Sequence, residues 1–221
     1  PEYPLRKLSK GITMNQSQFQ RAAGISARLA ARWFPHIHAA IAEFGINSPI
    51  AKAMFIAQVG HESNGFSATR ESFNYSVQAL IVTFVPKRLT KDQALTLGRK
   101  PGESALPIER QKAIANLVYQ KRFGNNLPGD GWKYRGGGLI QTTFLDNYRT
   151  TGNAIKVDLV SQPELLELEQ NAARSAAWFF VSKGCMNWLH SIENVTRIIN
   201  GGTNGLDDRK ARFTLAKSIL V

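Results

Sequence analysis

From Met14 onward the apolar residues fall at helical intervals. Phe19, Ala22, Ala23, Leu29, Trp33, Phe34, Ile37, Ile41 and Phe44 recur every three or four residues as far as Gly45, and this spacing predicts helix throughout. Ser48 and Pro49 supply a cap and a first-turn proline for a further helix, whose residues Ile50, Met54, Phe55, Ala57 and Gln58 lead to a stop at Asn64-Gly65. Further helices are predicted at about 75–85, at 90–97 behind Thr90, at 107–123, at 161–183 behind Ser161 and Pro163, at 188–199 and at 206–220. Residues 1–13 carry two prolines, three basic residues and no period, so they read as a tail. Met14, which opens the pattern, is a candidate translation start.

One stretch departs from the helical rule. Residues 124–142, GNNLPGDGWKYRGGGLIQT, place glycine at 124, 129, 131, 136, 137 and 138 and proline at 128, which no helix sustains. The reading is an irregular loop that enters a short extended run at Leu139, Ile140 and Gln141. There is no internal repeat, heptad array or low-complexity block. The fold class is mostly α with one long non-helical segment, and a loop of that length inside a compact domain usually carries function.

Composition narrows the class. The 221 residues are 43% apolar and 20% charged, which excludes disorder and suits one globular unit or two lobes sharing a core. No window reaches the 18 or so apolar residues of a membrane span, and the N-terminus lacks the basic-then-apolar layout of a secretory signal. The expectation is a soluble protein made and folded in the cytoplasm. A single cysteine, Cys185, excludes an intrachain disulfide framework, and four histidines argue against a structural zinc cluster.

Charge indicates the partners. Lys and Arg total 28 against 16 Asp and Glu, giving +12, so the chain should be drawn to polyanions: nucleic acid, anionic lipid, lipopolysaccharide or the carboxylate-bearing bacterial wall. Residues 87–122 hold nine basic residues (Lys87, Arg88, Lys91, Arg99, Lys100, Arg110, Lys112, Lys121, Arg122) and three acidic ones (Asp92, Glu103, Glu109), a net +6. Such a cluster is either a solvated face or an electrostatic guide for an anionic substrate.

His61 and Glu62 end the helix of residues 49–64. The HExxH zinc-protease pattern would need histidine at 65, where Gly65 stands, so that chemistry is excluded. Glu62 lies on the last turn of an apolar helix, where the partial negative charge of the C-terminus favours retention of its proton, as a general acid requires. Glu71 follows nine residues later. On a continuous helix at about 100° per residue the two carboxylates would lie on opposite faces, roughly 13 Å apart along the axis. Asn64-Gly65 breaks the helix between them, so the loop can fold Glu71 back across a cleft from Glu62, to the separation of about 6.5–9.5 Å used in inverting glycoside hydrolysis. The triple glycine 136–138 lacks the order and context of a phosphate cradle. Around it, Gln141, Thr142, Thr143, Asn147 and Tyr148 cluster with Trp132 and Tyr134; amides, hydroxyls and flat aromatic faces are what hold a sugar ring, and the same residues also suit aromatics packed into a core beside a wet polar loop.

Five motifs in order carry a resemblance: GHESNGF at 60–66, YRGGGLIQTTFLDNY at 134–148, AAWFF at 176–180, INGG at 199–202 and DDRKARF at 207–213. From Met14 to the C-terminus the chain resembles glycoside hydrolase family 19, the chitinase-like fold, and within it the phage and prophage endolysins of Gram-negative hosts. The resemblance implies that Glu62 is the general acid, that Glu71 is the general base and that Thr143 holds the attacking water. It implies that Gln141, Asn147 and Asn200 line the sugar cleft with His61, and that Arg209 lies near the second carboxylate. Plant-type members separate their two glutamates by a much longer insert. The family's usual Gly-Arg-Gly is Gly136-Gly137-Gly138 here, so a cleft arginine is absent at 137.

The expectation that follows is a mostly α, two-lobed hydrolase with a cleft between a larger lobe, about 14–86 and 131–221, and a smaller basic lobe, about 87–130. It would act as a monomer without cofactor on β-1,4 bonds of peptidoglycan glycan strands. Its basic surface would meet the anionic envelope, without specific nucleic-acid binding. A separate membrane pore would release it from the cytoplasm to the wall. The alternatives are a chitinase of the same fold and a non-enzymatic cationic envelope- or DNA-binding protein.

Overall fold

Gly24 divides the first long helical run in two. In this computed structural model, which describes residues 13–221, α1 (Gln16–Ala23) begins with an Asn15/Gln18 capping box and closes at Gly24, whose φ of 64° is the left-handed conformation that glycine adopts most readily. α2 (Ala27–Glu43) starts again behind Ser26, so the continuous run expected to Gly45 is two helices. The tail expected over 1–13 lies, except for Thr13, outside the described residues. α3 (Pro49–Glu62) has the expected Ser48 cap and Pro49 at its first position, and the backbone leaves it through Asn64, Gly65 and Phe66, all at positive φ. α4 (Val77–Phe84), α5 (Lys91–Leu97) and α6 (Ile108–Tyr119) follow, with Thr90 capping α5 as its sequence predicts. After them come α7 (Asp130–Lys133), α8 (Leu145–Ile155), α9 (Glu169–Ser182), α10 (Ile192–Asn200) and α11 (Leu206–Leu220), with 3₁₀ turns at Pro163–Glu167 and Cys185–Trp188.

The mostly helical class holds, and several boundaries move for local reasons. The helix expected to 123 stops at Tyr119, because Lys121 and Phe123 adopt positive φ and turn the chain. The run 161–183 is a 3₁₀ turn and then a helix, and the helix expected from 188 waits for its cap, Ser191. The extended run at 139–141 is a tight turn. Gly137 and Thr142 pair across it, and Gly138 and Gln141 take left-handed φ values to make it. α8 was not foreseen. Its buried positions, Tyr148, Thr151, Gly152 and Ile155, do have helical spacing, but Gly152 and the preceding glycine-rich loop obscure it.

Three apolar cores organise these elements. The largest joins α1, α2, α3, α9, α10 and α11, with α11 packed along α3 and α2 along α9. Trp33 is fully buried within it and donates from Nε1 to the Phe66 carbonyl at 2.8 Å, which ties α2 to the turn just beyond Glu62. Arg174 clamps both oxygens of Glu43, and Arg32 pairs with Glu169, fastening α2 to α9 at the surface. A second core contains Phe73, Leu80, Leu89, Ala94, Leu106, Ile114, Ala115 and Val118. It begins at Phe73, so residues 73–86, assigned above to the larger lobe, pack with the basic segment. A third, under α8, holds Tyr134, Tyr148, Ile155, Leu159 and Leu166. No helix among the described residues is long and apolar enough to cross a membrane.

Candidate active site

Glu62 is the last residue of α3, and what holds it comes from α11. Arg209, 1% exposed, donates through Nη2 to Glu62 Oε1 and through Nη1 to Gln58 Oε1 at 2.5 Å. Gln58 lies one helical turn before Glu62 on the same face, and its amide donates to Thr196 Oγ1 on α10 at 3.2 Å. A buried arginine with two acceptors is the well-satisfied form of a buried charge, and it fixes the Glu62 carboxyl by one oxygen only. Glu62 Oε2 makes no hydrogen bond to the described residues. His61, beside it, receives or donates at 2.7 Å between Nδ1 and Asp208 Oδ2, and its ring rests on Gly205, where a Cβ would collide with it.

Glu71 is fixed by a separate set of groups. Its backbone N–H donates to Gly136 O at 2.8 Å, Gly136 N–H returns a bond to Glu71 Oε2 at 2.9 Å, and Tyr119 donates its hydroxyl to Oε1 at 2.8 Å. Burial raises the Glu71 carboxyl above the ordinary glutamate range, against the lowering influence of these two donors and of Arg135 and Arg70. The adjacent Arg70 pairs in a bridge with Gly137, and Gly138 N–H donates to Thr69 O, so the segment carrying Glu71 is laced to the glycine run residue by residue. The glycines allow this approach: a Cβ on Gly136 would lie 2.7 Å from Gln141 Oε1 and 3.1 Å from Glu71 Cβ, and one on Gly137 would collide with the Tyr148 hydroxyl. The triple glycine is therefore a close-packing device for Glu71 rather than a phosphate cradle.

The other expected residues divide. Gln141 and Glu71 both lie against Gly136. Thr143 Oγ1 donates to Gln141 O at 2.9 Å, and the exposed Asn147 donates its amide to Thr143 O at 2.8 Å. Gln141 and Phe144 hold positive φ, strain of order 1–3 kcal/mol each that the surrounding bonds maintain. Trp132 is half-buried, with one face covered by the Arg135 guanidinium. Asn200 is exposed at the end of α10. Tyr134 and Tyr148, expected to face a sugar, are interior residues, 3% and 0% exposed. The Tyr134 hydroxyl donates to Val160 O; that of Tyr148 donates to Arg135 O and accepts from Arg70, so both polar tips are used inside the protein. Arg209, expected near the second carboxylate, is on the first. Gln58, Tyr119, Arg70 and Arg135 belong to the site and were not singled out. Only Gln58, a polar residue on the apolar face one turn from Glu62, left a readable signal.

Helical cores and two separately braced glutamates, one of them against the polar loop, are the parts that a two-carboxylate glycosidase needs. No family model matches the chain. A protein of Haemophilus influenzae described as a glycosyl hydrolase family 19 domain-containing protein is 39% identical over 189 residues, 80% of this chain and 87% of that one. The chain belongs to glycoside hydrolase family 19. Chitinase 2 of Oryza sativa subsp. japonica is 32% identical over 106 residues, 37% of this chain and 31% of that protein. Among solved structures, chitinase C from Streptomyces griseus HUT6037 has a TM-score of 0.61 at 16% identity, covering 96% of this chain and 94% of that one. A bacterial family 19 chitinase has a TM-score of 0.57 at 18% identity, covering 95% of each chain. These two likenesses are of fold.

Proposed function

We propose that this chain hydrolyses β-1,4 glycosidic bonds of bacterial peptidoglycan with inversion, Glu62 acting as general acid and Glu71 as general base. The observation that carries this reading is the separate bracing of the two carboxyls at either end of the ten-residue segment 62–71, which leaves the helix through Asn64, Gly65 and Phe66 at positive φ. Arg209 occupies Glu62 Oε1, so the proton for the leaving glycosidic oxygen would come from Oε2. Glu71 has one donor on each oxygen, and each oxygen retains a lone pair to accept a proton from water. Thr143 spends its own hydroxyl proton on Gln141 O, so it would hold that water as an acceptor. Acid-base assistance of this kind supplies about 10²–10⁴-fold per group.

Peptidoglycan is favoured over chitin by charge, because its stem peptides bear carboxylates and the chain carries +12. Chitin is the second reading, favoured by the two solved chitinases of similar fold. The biological setting we infer is that of an endolysin, acting on the wall in the periplasm after a separate pore has breached the membrane. The deciding experiment is turnover of purified peptidoglycan against chitin oligomers, with the anomer of the first product read by NMR. An α-anomer from peptidoglycan supports the proposal; retention of the β-configuration overturns the mechanism, and turnover of chitin alone overturns the substrate. Mass spectrometry of the new reducing ends tells muramidase from glucosaminidase.

A further inference from the structure

Arg135 stands in the turn between α7 and Gly136, the residue whose N–H holds Glu71. Its guanidinium carbon lies 3.4 Å from the centroid of the Trp132 ring, and Nη1 donates to Trp132 O at 2.8 Å, so the plane of the group is fixed. The rest of its bonding capacity is unused. Nε is buried without a partner, Nη2 donates to no described residue, and among the described residues no carboxylate oxygen lies within 4 Å. Its neighbour Arg70, whose Nε likewise makes no hydrogen bond, differs in having Glu167 Oε1 at 3.3 Å. Burial, and then the proximity of Arg70, pull the Arg135 group down to about 10, against the opposing attraction of Glu167, Tyr148 and Glu71. Glu71 attracts it, but both Glu71 oxygens are held by Tyr119 and Gly136.

A partly buried cation beside another cation, clamped in plane, with Nη2 unspent and no carboxylate of the described residues in direct contact, is arranged for an anion that arrives from outside. A guanidinium edge matches a carboxylate, which can accept two parallel N–H bonds. A chitin chain has no such group, whereas a peptidoglycan strand does. We propose that Arg135, stacked on Trp132, is a carboxylate-binding subsite next to Glu71 that selects acidic glycans over neutral ones. The proposal rests on the peptidoglycan reading above and names the chemistry of that selection. The carboxylate has two sources: the lactyl ether of a muramic sugar whose peptide has been removed, and the stem peptide where it is still attached.

The test measures binding, so that it does not depend on cleavage. In a Glu62→Gln background of the full chain, calorimetry compares peptide-free glycan strands, the same strands with their carboxylates converted to methylamides, intact peptide-bearing fragments and chitin hexamer. With Arg135 present, the carboxylate-bearing ligand should bind about tenfold or more tighter than its neutralised counterpart. Arg135→Gln should bring that ratio to about one, whatever it does to the affinity shared by methylamide strands and chitin hexamer, and Arg135→Lys should restore part of it. The peptide-free or the peptide-bearing ligand, whichever responds to Arg135→Gln, identifies the source. A ratio near one in the parent, or a ratio that survives Arg135→Gln, overturns the proposal. So does equal loss of kcat on every substrate with a displaced pH profile in otherwise unmutated enzyme, which would make Arg135 a positioning group for Glu71. Absence of peptidoglycan cleavage by the unmutated chain, with the binding ratio intact, would instead overturn only the substrate assignment.

Discussion

Arg209 bridges two acceptors one helical turn apart, Glu62 and Gln58, from a position 1% exposed to solvent. The bridge gives Glu62 a structural part beside the chemical one proposed above, and the two separate by substitution. Glu62→Gln keeps an acceptor for Nη2 and removes the transferable proton, so glycan hydrolysis should fall at least about 10²-fold with the melting temperature little changed. Glu62→Ala strands one arm of a buried guanidinium and should lose a further 1–3 kcal/mol or so of stability. Thermal unfolding of both variants checks this, and equal stability would mean that the Arg209 contact holds nothing in place.

Glu71 is disposed differently, and the sign of its pH effect follows. Burial raises its carboxyl, so the fold favours the protonated form; the associated stability is present in acid and is lost as pH rises through the folded value. Glu71→Gln removes a charge the interior tolerates poorly. It should melt higher than the parent near neutral pH, with the gain shrinking toward pH 4, and be almost as inactive as Glu62→Gln at every pH. The parent's kcat/KM should also climb with pH through a value above the ordinary glutamate range, since the base must be ionised. A lower melting temperature at neutral pH for Glu71→Gln would contradict the burial argument.

How much of this was readable in the sequence depends on how local each cause is. The caps at Ser48, Thr90 and Ser191 act within three residues, and the first two were legible as helix starts. The break after Glu62 was legible because Asn64 and Gly65 tolerate positive φ; that Phe66 joins them was not, since its conformation is held by burial and by the bonds of Trp33 and Ser63. Tyr119 and Arg209 reach the glutamates from 48 and 147 residues away, and no spacing rule spans such distances. For Tyr134 and Tyr148 only the structure decides between sugar and core, because an aromatic ring near a polar loop has the same local pattern in either place.

The glycine at 137, where the family usually has arginine, is explained by its neighbours. A Cβ there would collide with the Tyr148 hydroxyl, which bonds to both Arg70 and Arg135. Restoring the arginine should therefore destabilise the chain rather than improve substrate affinity. Gly137→Ala alone should already cost about 1–3 kcal/mol as an overpacked site. Tyr148→Phe removes the colliding oxygen, so the double variant should be more stable than the sum of the two single losses. Denaturant melts in a double-mutant cycle measure this coupling, and strict additivity would show that the two positions do not compete for space.

Salt should separate recruitment from chemistry. Lys87 and Lys91 are exposed and form no ion pair among the described residues, within a segment that carries half of the net charge. Arg122, by contrast, packs its guanidinium 4.7 Å from the centroid of Phe144, next to Thr143, and it lies close enough to Arg88 for the two charges to interact. The basic surface thus runs from open solvent to the edge of the site, and charge reversal at its outer end is the informative change. Screening lengths fall from about 8 Å at physiological ionic strength to about 3 Å at 1 M, so binding to wall fragments should weaken steeply as salt rises. Turnover of a short neutral oligosaccharide should hardly respond, because Glu62, Glu71 and their buried partners do not depend on long-range attraction. Lys87→Glu with Lys91→Glu should reproduce the high-salt behaviour on wall fragments and spare the neutral substrate. Parallel loss on both substrates would place the outer lysines in the catalytic machinery, and no loss on either would leave them as solvated surface.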